Sequence, residues 1–115
     1  MNSKKNKQVL KKILPTSLNT ALAEAYGALI GDGCLCTFYS NYNKKQKYLL
    51  LYTGHTHDFE YYENTLRPIF IKEFGTRGSI SHRSKRRGNC IDYWIYSKRI
   101  FDWFENYGFP VGKKI

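Results

Sequence analysis

LNTALAEAYGALIGDG, residues Leu18 to Gly33, decides how the rest of the chain is read. Wound at about 100° per residue, it separates into two faces. Leu18, Leu22, Ala25 and Leu29 form a bulky apolar stripe. Thr20, Ala23, Gly27 and Gly31 form a stripe of small side chains nearly opposite, broken only by Glu24. A surface helix carries one apolar and one charged face, so a helix uncharged nearly all round is buried on both. The bulky stripe can cover the chain's own core. The small stripe lets a second backbone approach closely, as glycines four apart do in membranes. The run is nevertheless far short of the ~20 apolar residues that a membrane span needs. The pattern therefore predicts a soluble helix–helix contact at a domain or subunit boundary.

The end of this helix breaks local rules. Asp32 falls where the macrodipole is negative, which disfavours a carboxylate by a few tenths of a kcal/mol or more. Gly33 is expected to supply a left-handed stop, and glycine in a helix costs roughly 1 kcal/mol against alanine. Such violations gather at functional sites. A divalent cation would reverse the objection, because it takes a carboxylate and can also use helix-end carbonyls. An exposed Asp-Gly turn leading into a hairpin is the plain alternative.

The remaining pattern is legible in order. Residues 1–17 form a basic N-terminal tail, and residues 18–115 form one domain, with Ser17 or a neighbour as the helix N-cap. Cys34–Tyr42 and Lys47–Thr53 read as a hairpin around SNYNKKQ. Leu35, Leu49 and Leu51 are its expected core positions, with Cys36, Phe38, Ser40, Gln46, Tyr48 and Tyr52 on the other face. Thr56–Phe74 reads as a second helix, started by Thr56 and Asp58, disturbed near Arg67 by Pro68 and ended by Gly75. Arg77–Arg83 and Cys90–Tyr96 form a second hairpin, with Ile91, Tyr93 and Ile95 on one side and Asp92, Trp94 and Tyr96 on the other. Ser97 caps a third helix whose inward residues are Ile100, Phe101, Phe104 and Tyr107, and Gly108 closes it. The order is αββαββα.

Residues 25–33, AYGALIGDG, resemble the signature of the LAGLIDADG homing endonucleases in its GDG-ending form. Gly27, Leu29, Ile30, Gly31, Asp32 and Gly33 match, whereas Ala25 and Tyr26 stand in place of the usual leucine and small residue. The resemblance implies an α+β half-domain, a four-stranded antiparallel sheet with helices on one face and a DNA-binding face on the other. It further implies a site-specific, double-strand DNA endonuclease of a mobile element or intron, a hydrolase that uses Mg²⁺ or another divalent cation and acts as a homodimer. Asp32 and the Gly31 carbonyl would hold metal, and the helices would meet through Thr20, Ala23, Glu24, Gly27 and Gly31. Lys114, or its neighbour Lys113, would stand near the scissile phosphate, and His55 would order the attacking water. Relatives often continue beyond this length, so a minimal homodimer, a truncated enzyme and half of a split pair all stay open.

Charge supports a polyanion as partner. Nineteen Lys and Arg against nine Asp and Glu give a formal charge of +10, which suits nucleic acid. A β-ribbon fits the major groove, where alternating side chains reach base edges, while turn lysines and arginines meet phosphate. The expected contacts are Ser40, Asn41, Lys44, Lys45, Gln46, Tyr48, Tyr52, Arg77, Ser79, Ser81, Arg83, Lys85, Arg86, Arg87, Asp92 and Trp94. Three cysteines, an odd number, fit a reducing intracellular compartment, cytoplasm or organelle matrix, rather than a disulfide framework. Cys34, Cys36, His55, His57 and Cys90 could instead supply zinc ligands, although no Cys-x-x-Cys pair occurs. Other functions compatible with this chain are a non-cleaving binder on the same scaffold, either an intron RNA maturase or a DNA-binding regulator, and an unrelated basic RNA-binding protein.

Overall fold

The computed structural model describes residues 14–82 and 90–112, and its elements follow the αββαββα order. Helix α1 spans Thr20–Asp32, with the Asn19 side chain accepting the Leu22 N–H at 2.8 Å as the N-cap. Ser17 lies outside it, and Leu18 is left exposed rather than joining the apolar stripe. Strands β1 (Gly33–Ser40) and β2 (Lys45–His55) form the first hairpin. Strands β3 (Ser79–His82) and β4 (Cys90–Tyr96) form the second. All neighbours are antiparallel, in the order β1-β2-β4-β3. β4 thus joins the hairpins at the centre of the sheet.

Gly33 does not end α1 in the left-handed region. Its backbone is extended and it opens β1 directly. Glycine is needed there for a close approach: a Cβ would lie 2.2 Å from the Leu51 carbonyl oxygen and 2.6 Å from Leu29 Cδ1. The helix therefore passes into the strand without a loop, with Asp32 at the junction.

The segment between the hairpins is helical throughout but changes pitch. A 3₁₀ turn (Thr56–Asp58) leads into α2 (Phe59–Tyr61), a π-helical stretch (Tyr62–Leu66) and α3 (Arg67–Phe74). Pro68 explains the widening. Its ring would press on the carbonyl four residues back, and the wider turn, in which the Arg67 N–H reaches the Tyr62 carbonyl, relieves that pressure. Gly75 stops α3 with φ 78°. The last helix, α4 (Lys98–Asn106), is capped by Ser97, whose side chain accepts the Ile100 N–H at 3.2 Å.

The helices cover one face of the sheet. Leu22, Ala25 and Leu29 of α1 meet Leu35, Leu50 and Tyr52, and Phe70, Phe74, Ile100, Phe101 and Phe104 close over Ile91, Tyr93 and Ile95. Aromatic rings tie these layers together, with Tyr52 stacked on Tyr93 at 5.8 Å and edge-on to Phe70 at 6.2 Å. Trp103 is buried, and so is Phe109, which was absent from the expected core. Trp103 donates to the Pro15 carbonyl at 2.7 Å and Tyr107 to the Thr16 carbonyl at 2.8 Å, so the chain packs against α4 before α1 begins.

The face assignment of β2 is reversed from expectation. Leu50 and Tyr52 are buried beneath the helices, and Tyr48 packs edge-on against Phe101 at 5.2 Å. Leu49 and Leu51 point to the opposite, open face, because they pair with Cys36 and Cys34 while Leu35 pairs with Leu50. Three consecutive leucines satisfy either alternation equally, so the hydrophobic pattern cannot choose. Charge can: Lys45, Lys47 and His55 share a parity with Leu49 and Leu51, and that parity faces outward.

Candidate functional site

The open face can be read from the registers. Running away from Asp32, its rows are Thr53–Asp92–Ser81, Leu51–Trp94–Ser79 with Cys34, and Leu49–Tyr96 with Cys36. Phe38 with Lys47 and Ser40 with Lys45 complete the far corner. Ser40, Lys45, Ser79, Ser81, Asp92 and Trp94 therefore lie on this face. Tyr48 and Tyr52 do not, and Gln46 shares their parity; its side chain instead donates to Thr37 Oγ1 at 2.7 Å. Tyr52 donates its hydroxyl to the Ala25 carbonyl at 2.7 Å and has no exposed surface for a partner. Asn41 and Lys44 stand exposed in the turn, where Lys44 takes φ 60°. Arg77 is exposed just before β3, its carbonyl accepting from Tyr93 Oη and Arg67 Nε. Arg83, Lys85, Arg86 and Arg87 lie outside the described residues, as do Lys113 and Lys114.

Asp32 is exposed at the tip of α1. The helix ends beside it, with the Leu29 carbonyl taken by Gly33 N–H. The carboxylate is felt by the tyrosines around it. Burial is the main force holding the Tyr62 hydroxyl well above its ordinary pKa, and the charge of Asp32 is the next. Tyr61 is likewise raised by burial first, then by its hydrogen bond to Glu24, with Asp32 adding. A negative charge at this junction favours protonated phenols.

The chain after α4 returns toward the tip. Val111 bridges to Leu35 and the Gly112 N–H donates to the Leu35 carbonyl at 2.6 Å, three residues along from Asp32. His55 sits at the start of the helical segment and acts as its cap. Its Nδ1 accepts the His57 N–H at 3.1 Å, and Asp58 Oδ2 accepts the His55 N–H at 2.9 Å. That leaves the Nε2 edge of an exposed ring for other work.

On α1, Ala23, Glu24, Gly27, Gly31 and Thr20 are all exposed. A Cβ added at Gly27 or Gly31 would meet nothing within 4 Å, so the small stripe is uncovered by the rest of the described chain. Ile30, 55% exposed, extends this edge with an apolar side chain.

The zinc alternative does not assemble. Cys34 and Cys36 approach at 3.1 Å between sulfurs and the His55 and His57 rings at 4.3 Å. Among the described residues, however, no three His, Cys, Asp or Glu side chains converge on one point. The same observation limits Asp32: one chain supplies a single carboxylate and helix-end carbonyls, which fits part of a hard-cation site. No helix among the described residues is long and apolar enough to cross a membrane.

A four-stranded antiparallel sheet covered by helices on one side, with an open face and an aspartate-tipped helix entering its first strand, defines the LAGLIDADG half-domain fold. Among solved structures, the chain is similar to the homing endonuclease I-DmoI in complex with DNA and Mn, with TM-score 0.56 and 20% identity over 77% of this chain and 50% of that one. It is similar also to the LAGLIDADG homing endonuclease I-GzeII in complex with its DNA target, with TM-score 0.54 and 15% identity over 88% of this chain and 34% of that one. The chain thus spans half of the first protein and about a third of the second. No protein-family model and no curated protein sequence matches it.

Proposed function

We propose that this chain is a site-specific DNA endonuclease, dependent on a divalent cation and acting as a homodimer with one acidic tip per subunit. The observation that carries this reading is the uncovered glycine edge of α1 ending in an exposed Asp32. A second copy packed through Thr20, Ala23, Glu24, Gly27 and Gly31 would set two Asp32 carboxylates side by side beneath a duplex on the two open faces. A bound divalent cation would supply Lewis acidity and would lower the pKa of a water, so that the water gives up a proton and attacks phosphorus as the bond to the leaving oxygen breaks. Asp32 and the Gly31 carbonyl are the groups that would hold it, and Mg²⁺ is the natural candidate for an all-oxygen set. The I-DmoI complexes with DNA and Mn and with DNA and Ca support a divalent ion on this fold.

The chain's other residues take subordinate roles in this scheme. Lys113 or Lys114, following the Gly112 anchor, would stabilise charge developing on the phosphate. His55 would orient water through Nε2, its Nδ1 being committed to the cap. Lys44 and Lys45 would meet phosphate, with Arg77, Arg83, Lys85, Arg86 and Arg87, while Ser40, Asn41, Ser79, Ser81, Asp92 and Trp94 would approach bases. Intron mobility is the biological setting proposed.

Incubating a pool of random duplexes with the protein and Mg²⁺, beside Asp32→Asn, tests the reading. Discrete double-strand cuts lost in the variant are expected. Binding without cutting in both proteins would overturn the enzyme assignment in favour of a regulator or intron RNA maturase.

A further inference from the structure

The open face is not uniformly polar, and its chemistry changes along the strands. Beside Asp32 stand hydrogen-bonding groups, with Thr53 Oγ1 donating to Asp92 Oδ1 at 2.9 Å. Farther out come Leu51, then Leu49 in one row with Tyr96, then Phe38; the last two rings are 52% and 41% exposed. These rings meet edge-to-face at 6.4 Å, making an apolar patch open to solvent. Burial of the core does not require this patch, because the rings stand on the side away from the helices.

Lysines surround it. Lys47 Nζ lies 5.3 Å over the Tyr96 ring, and Lys45 stands two residues away on the same face of β2. Charge of this sign complements a polyanion that also presents apolar groups. In the major groove of DNA only thymine does so, through its 5-methyl group, and phenylalanine is among the side chains that contact it. Guanine is read by lysine or arginine, best by the planar guanidinium, and among the described residues no strand position carries an arginine.

We propose that Phe38 and Tyr96 form a thymine-methyl reader at the outer part of each half-site. Phe38 is six residues beyond Asp32 along β1, which at about 3.3 Å per residue places it about 20 Å from the tip. At about 3.4 Å per base pair, that is about six base pairs from the position over Asp32. This deepens the endonuclease reading and rests on it: the substrate class becomes a duplex with thymine at those outer positions.

Binding of the full chain to a duplex recovered from a random pool tests it, using that duplex with thymidine or deoxyuridine at the outer positions. Deoxyuridine removes the methyl and nothing else. An affinity loss of about fourfold per methyl is expected, with thymidine and deoxyuridine duplexes bound equally by Phe38→Ala and by Tyr96→Ala. Both side chains are exposed, so folding is spared, and circular dichroism verifies this. Equal binding of both duplexes by the unaltered protein, or G·C pairs recovered at the outer positions, overturns the proposal. So does a change of oligomeric state in Phe38→Ala without any change in the thymidine-to-deoxyuridine ratio. Recovery of no duplex at all shows instead that the endonuclease reading has failed, and the methyl reader falls with it.

Discussion

Tyr52 in the middle of β2 donates its hydroxyl hydrogen to the main-chain carbonyl of Ala25 in α1, at 2.7 Å and wholly buried. The bond pins the acidic helix across the first hairpin and fixes which face of β2 lies beneath the helices. With Gly33 sealed against Leu51 and Leu29, it leaves Asp32 no freedom to drift from the end of β1. The tip is held by the sheet rather than by a loop.

Removing the hydroxyl alone, in Tyr52→Phe, is expected to cost about 1 kcal/mol. Truncation to Tyr52→Ala should cost about 3–5 kcal/mol, since the ring fills space between Tyr62, Phe70 and Tyr93. Leu51→Ser, on the open face, should cost far less than Leu50→Ser beneath the helices. Urea denaturation of the four variants measures the order, and equal losses at Leu50 and Leu51 would contradict the assigned faces.

The glycines of α1 should respond in opposite directions. Gly27→Ala meets nothing within 4 Å and improves helix propensity, so the isolated subunit should gain up to ~1 kcal/mol. Gly33→Ala forces a methyl against the Leu51 carbonyl, and should lose about 1–3 kcal/mol. If two α1 helices meet through the small stripe, Gly27→Ala and Gly31→Ala must also weaken self-association. Sedimentation would show this as a shift toward monomer at fixed concentration, while thermal melting of the subunit improves.

Alkali should unfold the domain in a defined window. The hydroxyls of Tyr52, Tyr62 and Tyr93 are all raised, by burial first and, for Tyr62, next by the charge of Asp32. Unfolded tyrosine ionises near pH ~10. Above that pH the unfolded chain releases protons that the folded one keeps, so stability is full below it and falls as pH rises through it. Absorbance at 295 nm should show these phenols titrating together with the loss of circular dichroism. Smooth titration of every tyrosine near pH ~10 in a still-folded protein would contradict their burial.

Lys44 holds φ 60° in the first turn, a conformation that costs a residue with a Cβ about 1–2 kcal/mol. Lys44→Gly should therefore stabilise the hairpin, by about 1 kcal/mol. If the lysine meets phosphate, the same change should weaken DNA binding and flatten its salt dependence by about one unit of slope. Stability and affinity moving in opposite directions would mark a side chain kept for its charge. Affinity and salt slope unchanged would remove Lys44 from the contact surface.

How much of this was legible in the sequence depends on whether each signal was local. Helical period, the capping serine of α4, the helix end at Gly75 and the alternation of β4 are properties of a few neighbouring residues, and each appears where the pattern placed it. The order αββαββα and the position of Asp32 at the helix end followed from those signals. Where three leucines ran together, the sequence offered two equivalent faces, and packing of Leu50 and Tyr52 against α1 chose between them. Gly33 looked like a helix stop but is a contact between elements, with a backbone carbonyl eighteen residues away. His55, His57 and Asp58 read from the sequence as a helix start, and the structure shows which atom caps it: His55 Nδ1 accepts the His57 N–H. Local chemistry thus determined which elements form and where the acidic residue falls among them. Which side chains look outward, and what a glycine is for, were decided only by tertiary structure, because both depend on volume and partners brought together from distant parts of the chain.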